Sequence, residues 1–320
     1  MRKIFTLLFV LMASISLMAT EGALKGRFTI NDAGDQIVFS KGNLQYNADK
    51  DTWRFAEHQY DYVGDATSGN VYVNETKSNN SLISATYDGW IDLFGWGTSG
   101  YNSRYPYLTS TNAGDYGNPA NPWSDIIGTD YDWGVYNAAQ LGEGWYIPSI
   151  GIWSTLFGRT DLIGRATVCG VHGFVLLPDN WVLPTEATWT LPAENWTTNV
   201  YDEDTWALME EAGAVFLPAA GLRSGTNISD AGNNGEYCSG SYSGKSYVWS
   251  IEFNETGLTG FDYYQRYTGM SVRLIHAAPT TPTAIDNTSI NVKATKRIVN
   301  GQLLIEKNGK RYNATGAEVK

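Results

Sequence analysis

The chain has 320 residues, of which 17 % are charged and 13 % aromatic, with 34 Gly and a net charge of −11 at pH 7. That length exceeds the needs of one ordinary core, and the composition excludes a disordered chain while fitting a turn-rich exported domain better than a helical cytosolic one. Its acidity makes nucleic acid and anionic membranes poor partners.

The charge is uneven along the chain. Residues 290–320 hold seven Lys/Arg against two Glu, a net of +5. Setting aside Arg2 and Lys3 leaves 20 basic against 33 acidic residues, −13, so residues 20–289 carry −18. The plain reading of that body is a solvated acidic surface that keeps the chain soluble.

In chain order, Arg2 and Lys3 precede the apolar run Ile4–Leu17, and Ala19 offers a small residue at a cut site. This pattern predicts a signal peptide over 1–19 and export to the extracellular or outer-membrane surface, or the periplasm. The run is short for a membrane span, and no transmembrane segment is expected.

The stretch 28–47 reads as a hairpin or meander with "NDAGD" as its turn. In "GWIDLFGWG" the rings of Trp90, Phe94 and Trp96 stand among glycines, which favours core. The following "YNSRYPY" sets Tyr101, Tyr105 and Tyr107 among polar residues and reads equally as a contact surface.

Two helices are predicted. Ser149 caps "IGIWSTLF", which places Ile152, Trp153, Leu156 and Phe157 on one face and ends at Gly158. The second is "DEDTWALMEEAG", acidic at its start and ended by Gly213. Cys169 and Cys238 are the only cysteines. An exported chain can oxidise them, but nothing in the sequence brings them together, so paired and free forms both stand.

After the buried-strand pattern "GAVFLPAAGLR" comes the polar segment 224–247, followed by strand-like 248–253 and 269–277. Proline and threonine from 279 to 289 mark a linker. Beyond it, Asn300-Gly301 and Asn308-Gly309 between alternating residues signal hairpins and predict a tail of three or so short strands over 290–320.

Catalytic signatures are missing. His58, His172 and His276 are far apart, without HExxH or a cysteine partner, and no GxSxG, phosphate loop or dinucleotide fingerprint occurs. Close carboxylates such as Asp130/Asp132 and Asp202/Asp204 are the chance product of an acidic chain. A weak calcium candidate is "SDAGNNGE", with Asp230, Asn233, Asn234 and Glu236; such Asx/Gly clusters are more often turns. No other cofactor is expected.

"GEGWYIPSIGIWSTLF", "GAVFLPAAGLRSGT", "GEYCSGS", "YVWSIEF" and "YTGMSVRLI" together resemble the C-type-lectin-like domains of bacterial exported proteins. The similarity is to the Fibrobacter major-paralogue group and the formylglycine-generating, sulfatase-modifying superfamily. "GRFTINDAGDQIVFSKGNLQY", "WRFAEHQYDYVGD" and "GWIDLFGWGTSG" are similar to uncharacterised Bacteroidetes surface proteins. The resemblance covers roughly 24–277. It implies an α+β domain, two helices flanking a small twisted antiparallel sheet, with ligand contacts on a long loop before the final strands. The formylglycine-generating chemistry would need a reactive cysteine pair near the domain end; this chain has Ser271 and Arg273 there and no Cys after Cys238. The tail resembles short terminal modules of Bacteroidetes exported proteins, which implies secretion machinery as a partner.

The expected function is thus a non-catalytic, cell-surface adhesion or carbohydrate-binding protein that recognises a glycan or a protein. A structural subunit of an appendage or matrix is the alternative, and an enzyme comes third. The expected ligand surface is Arg223, Asn227, Asp230, Asn233, Asn234, Tyr237, Tyr242 and Tyr247, with Tyr263, Tyr264, Arg266 and Tyr267. The polar segment has too little aliphatic content to bury itself, so its groups are expected to face solvent or a partner. The second candidate surface is Tyr101, Tyr105 and Tyr107.

Overall fold

A computed structural model describes residues 22–67 and 78–279, with strand backbone at 295–299, 302–307, 310–313 and 318–319. The signal peptide predicted over 1–19 and the linker beyond Pro279 lie outside the described residues. By its contacts the chain divides into two compact units, Met1–Pro279 and Thr280–Lys320.

The first unit is α+β and mostly sheet. β1 (Phe28–Thr29) pairs antiparallel with β2 (Gln36–Phe39) across the "NDAGD" turn, where Asn31 Oδ1 accepts from the Asp35 N–H and Gly34 takes φ +83°. β3 (Leu44–Asn47) lies between β4 (Thr52–Phe55) and β5 (Trp90–Ile91), and β6 (Leu93–Phe94) follows directly. Two four-residue helices come next, α1 (Trp133–Tyr136) and α2 (Ala138–Leu141). They bring the described α-helices to four, where the sequence marks two.

The two predicted helices form where their caps direct. In α3 (Ile150–Phe157) the Ser149 hydroxyl accepts from the Ile152 N–H at 3.1 Å, and Gly158 closes the last turn. Its inward face is Trp153, Leu156 and Phe157; Ile152 is only partly covered. β7 (Ile163–Val168) and β8 (Val171–Leu176) form a hairpin whose two turn residues, Cys169 and Gly170, sit at φ +51° and +81°. A two-residue hairpin of this hand needs both, because it matches the twist of the flanking strands. β9 (Val200–Tyr201) lies parallel to β7. In α4 (Glu203–Glu211) the Asp202 carboxylate accepts from the Thr205 N–H at 2.9 Å, and Gly213 follows at φ +101°. β10 (Val215–Pro218), wholly buried, completes a sheet in the order β10-β8-β7-β9.

The segment 224–247 overturns the expected long loop. β11 (Leu222–Ser224) and β12 (Asn227–Ser229) form a short hairpin, and Gly235–Tyr242 is an eight-residue strand, β13, buried from Gly235 to Ser241. β13 lies inside a five-stranded sheet, with β14 (Tyr247–Asn254), β15 (Gly257–Gln265) and β16 (Met270–Ser271), in the order β15-β14-β13-β16-β6. The last strand of the unit, β17 (Ile275–Ala277), joins β2. Both large sheets contain one parallel pair, β13 with β16 and β7 with β9.

Within that segment Gly235–Ser241 is buried because the sheet is covered on both faces. Tyr237 packs among Phe39, Trp153 and Phe253 on one side, and Cys238 beside Trp96, Trp133 and Trp145 on the other. Small Gly, Ser and Cys side chains let these layers close over the backbone, and the strand ladder satisfies its N–H and C=O groups. Trp90, Phe94 and Trp96 are buried, as the density of "GWIDLFGWG" suggests. Cys169 and Cys238 are both free.

The second unit is an antiparallel meander of β18 (Thr295–Val299), β19 (Gln302–Lys307), β20 (Lys310–Asn313) and β21 (Glu318–Val319). Val299 stands opposite Gln302 and Lys307 opposite Lys310.

Candidate binding surfaces

β14 and β15 pair along their length, with Trp249 opposite Tyr263 and Ile251 opposite Phe261. Alternation puts Tyr247, Trp249, Ile251 and Phe253 on one face of β14. Ile251 and Phe253 lie under the core, whereas Tyr247 and Trp249 stand beyond its edge. Across the ladder Tyr263, 54 % exposed, stands opposite Trp249, and Phe261, 38 % exposed, lies diagonal to it, opposite Ile251. The Tyr263 ring meets Tyr247 edge-on at 5.5 Å and Trp249 edge-on at 5.9 Å. Such cross-strand aromatic pairs hold each other in place, so the patch is preorganised. Among the described residues β15 is the edge of its sheet.

Of the residues expected at the ligand surface, Tyr247 and Tyr263 are therefore brought together. Trp249 was missed, although the alternation of "YVWSIEF" places it on Tyr247's face. Tyr242 is also exposed, at the end of β13, with its N–H held by the Asp125 carboxylate at 3.0 Å. Tyr264 points to the opposite face, where its hydroxyl donates to Glu252 at 2.9 Å; Tyr267 is half-buried.

Three expected contacts are interior and cannot meet a ligand at the surface. Arg223 is fully buried, with Nε donating to Leu93 O at 3.1 Å and Nη1 to Leu108 O and Gly225 O. Burial lowers it to about 10. Arg266 lies 4.3 Å over the Trp96 ring and donates to the carbonyls of Pro122 and Gly244. Tyr237 donates to Pro218 O and accepts from Asn43 Nδ2, both at 3.1 Å. These groups donate to backbone carbonyls of distant segments, which is how polar side chains are accommodated in the interior.

The weak calcium candidate divides as well. Asp230 is exposed at φ +60°, and its carbonyl accepts from the N–H groups of Asn233 and Asn234, both at 2.9 Å, which makes the segment a turn. Glu236 is buried in β13, where loss of solvent raises its carboxyl to about 8. Among the described residues no group of three or more His, Cys, Asp or Glu is placed to hold a metal. Asn227 is exposed on β12.

Asn233 and Asn234 instead line a cleft of about 460 Å³ together with His172, Trp196, Asn254 and Thr256. His172 Nδ1 lies 2.8 Å from Gly232 O, and its ring stacks on Trp196 at 5.3 Å and 5°. In the other candidate, Tyr105 stacks on Tyr107 at 5.1 Å, and Tyr105 is exposed. Tyr101 packs edge-on against Tyr131 and Tyr136 and rests on the core beside Tyr107.

No helix among the described residues is long and apolar enough to cross a membrane. Comparison with known proteins adds no relative: no family model, no curated protein and no solved structure matches the chain.

Proposed function

We propose that this is an exported, cell-surface binding protein without catalytic activity, built on a C-type-lectin-like domain, that holds a glycan on the Tyr247–Trp249–Phe261–Tyr263 face. The observation that carries the reading is the exposure of Tyr247, Phe261 and Tyr263 around a half-buried Trp249 on adjacent strands, in a domain that buries Trp96, Trp133, Trp145, Trp153, Trp196 and Trp206. Aromatic rings present rigid apolar area at low entropic cost, and sugar C–H faces stack on it. The net acidity of the body favours neutral over anionic glycans.

β15, the outermost strand of its sheet among the described residues, supports a second reading, a structural subunit that assembles by strand addition. A glycan-array screen of the protein separates the two. The binding reading expects hits that Trp249→Ala and Tyr263→Ala each reduce at least ~tenfold with unchanged melting. Concentration-dependent fibres or oligomers without any array hit would support assembly and sink glycan binding.

A further inference from the structure

The cleft beside β8 has a chemistry of its own, independent of the aromatic face. Four separate segments supply it: His172 on β8, Trp196 and Thr197 in the turn before β9, Asn233 and Asn234 after β12, and Asn254 at the end of β14 with Glu255 and Thr256 in the turn to β15. Its volume, about 460 Å³, lies in the ~300–1,000 Å³ range of small-molecule sites.

The hydrogen bonds around the cleft fix which atoms remain to be used. A carbonyl only accepts, so the contact of His172 Nδ1 with Gly232 O at 2.8 Å places the ring hydrogen on Nδ1. In the neutral ring Nε2 is then an acceptor, and stacking on Trp196 fixes the plane in which it accepts. Asn254 Oδ1 is committed to the N–H and hydroxyl of Thr256, at 2.8 and 2.7 Å, which leaves its Nδ2 as a donor. The Thr256 hydroxyl has given its hydrogen to Asn254, and the Thr197 hydroxyl has given its own to Asn195 at 2.7 Å. Both threonine oxygens keep lone pairs to accept with.

The remaining inventory is an alternation of neutral acceptors and amide donors over an aromatic wall, with exposed Glu255 among the lining residues. Hydroxyl groups are the ligand groups that answer both, since each donates once and accepts twice. An anion would meet Glu255, and the nearest cation, Arg165, is outside the lining and already engaged with the Glu255 carbonyl and carboxylate. We propose that this cleft is a second binding site, specific for a neutral polyhydroxylated ring such as an uncharged sugar, with His172 Nε2 accepting a ligand hydroxyl and Asn254 Nδ2 donating to another.

The test is titration of the protein with galactose, mannose, N-acetylglucosamine and glucuronate, followed by the side-chain nitrogen resonances of His172 and Asn254. A neutral sugar is expected to shift both with ~mM affinity, and glucuronate to bind more weakly. His172→Phe keeps the stacked ring but removes the acceptor; Asn254→Asp keeps the turn acceptor but removes the donor. Each is expected to weaken binding at least ~tenfold. If the Phe variant does not fold, the Asp variant alone carries the test. Trp249→Ala is expected to leave this site unchanged, which separates it from the sheet face. No neutral sugar shifting these resonances, both variants binding like the parent, or glucuronate binding more tightly would each overturn the assignment.

Discussion

The indole Nε1 of Trp153 donates to the carbonyl of Cys238 at 3.3 Å, joining α3 to the central strand β13. The same ring packs against Phe39, Phe157 and Tyr237 at centroid distances of 5.9 to 6.1 Å. One side chain thus ties a helix to two sheets.

Trp153→Ala is expected to cost ~3–5 kcal/mol, because it opens a cavity where helix and sheets meet and removes the indole donor from the Cys238 carbonyl. Chemical denaturation measures this directly. A loss below ~1 kcal/mol would mean that the site refills.

Glu236 gives a pH signature. Burial, then the neighbouring carboxylates Glu252 and Asp230, raises its carboxyl from 4.5 to about 8. The folded state therefore holds this proton more tightly than the unfolded chain does. The stability it contributes is full below pH 4.5 and is lost as pH rises toward about 8. Glu236→Gln is uncharged at every pH and is expected to melt above the parent at alkaline pH, with the gap closing on acidification. Parallel melting curves from acid to alkaline pH would contradict this.

The two thiols should behave differently. Cys238 is fully buried and its thiol is pushed up by loss of solvent, while Cys169 is half-buried in the β7–β8 turn. A thiol reagent is expected to label Cys169 slowly in the native protein and Cys238 only on unfolding. Absence of free thiol in the denatured, unreduced protein would instead reveal a disulfide.

The contact-based division at Pro279 predicts that the first unit folds alone. Deleting 280–320 is expected to leave its cooperative melting within a few degrees of the parent. A large drop would make the tail part of the folding unit.

Both long helices were legible because their signals are local. Ser149 and Asp202 each cap with their own side chain, and Gly158 and Gly213 stop the chain within the same few residues. The "NDAGD" turn is legible for the same reason. The polar segment misled because composition records what a stretch contains, not what covers it. Arg223 and Arg266 look like surface cations from their neighbours in sequence, yet the carbonyls that hold them, Leu93 O and Pro122 O, come from distant segments.

The sequence by itself determined the elements whose hydrogen bonds close within a few residues: caps, tight turns and the alternation that makes Tyr247 and Trp249 neighbours on one strand. Only the tertiary structure decided which faces are covered. It set Tyr263 across from Trp249, sealed Tyr237 between cores, and gathered His172, Trp196, Asn233 and Asn254 around one cleft. Those relationships depend on strand register and sheet order, which are fixed by packing between distant segments and leave no local mark on the chain.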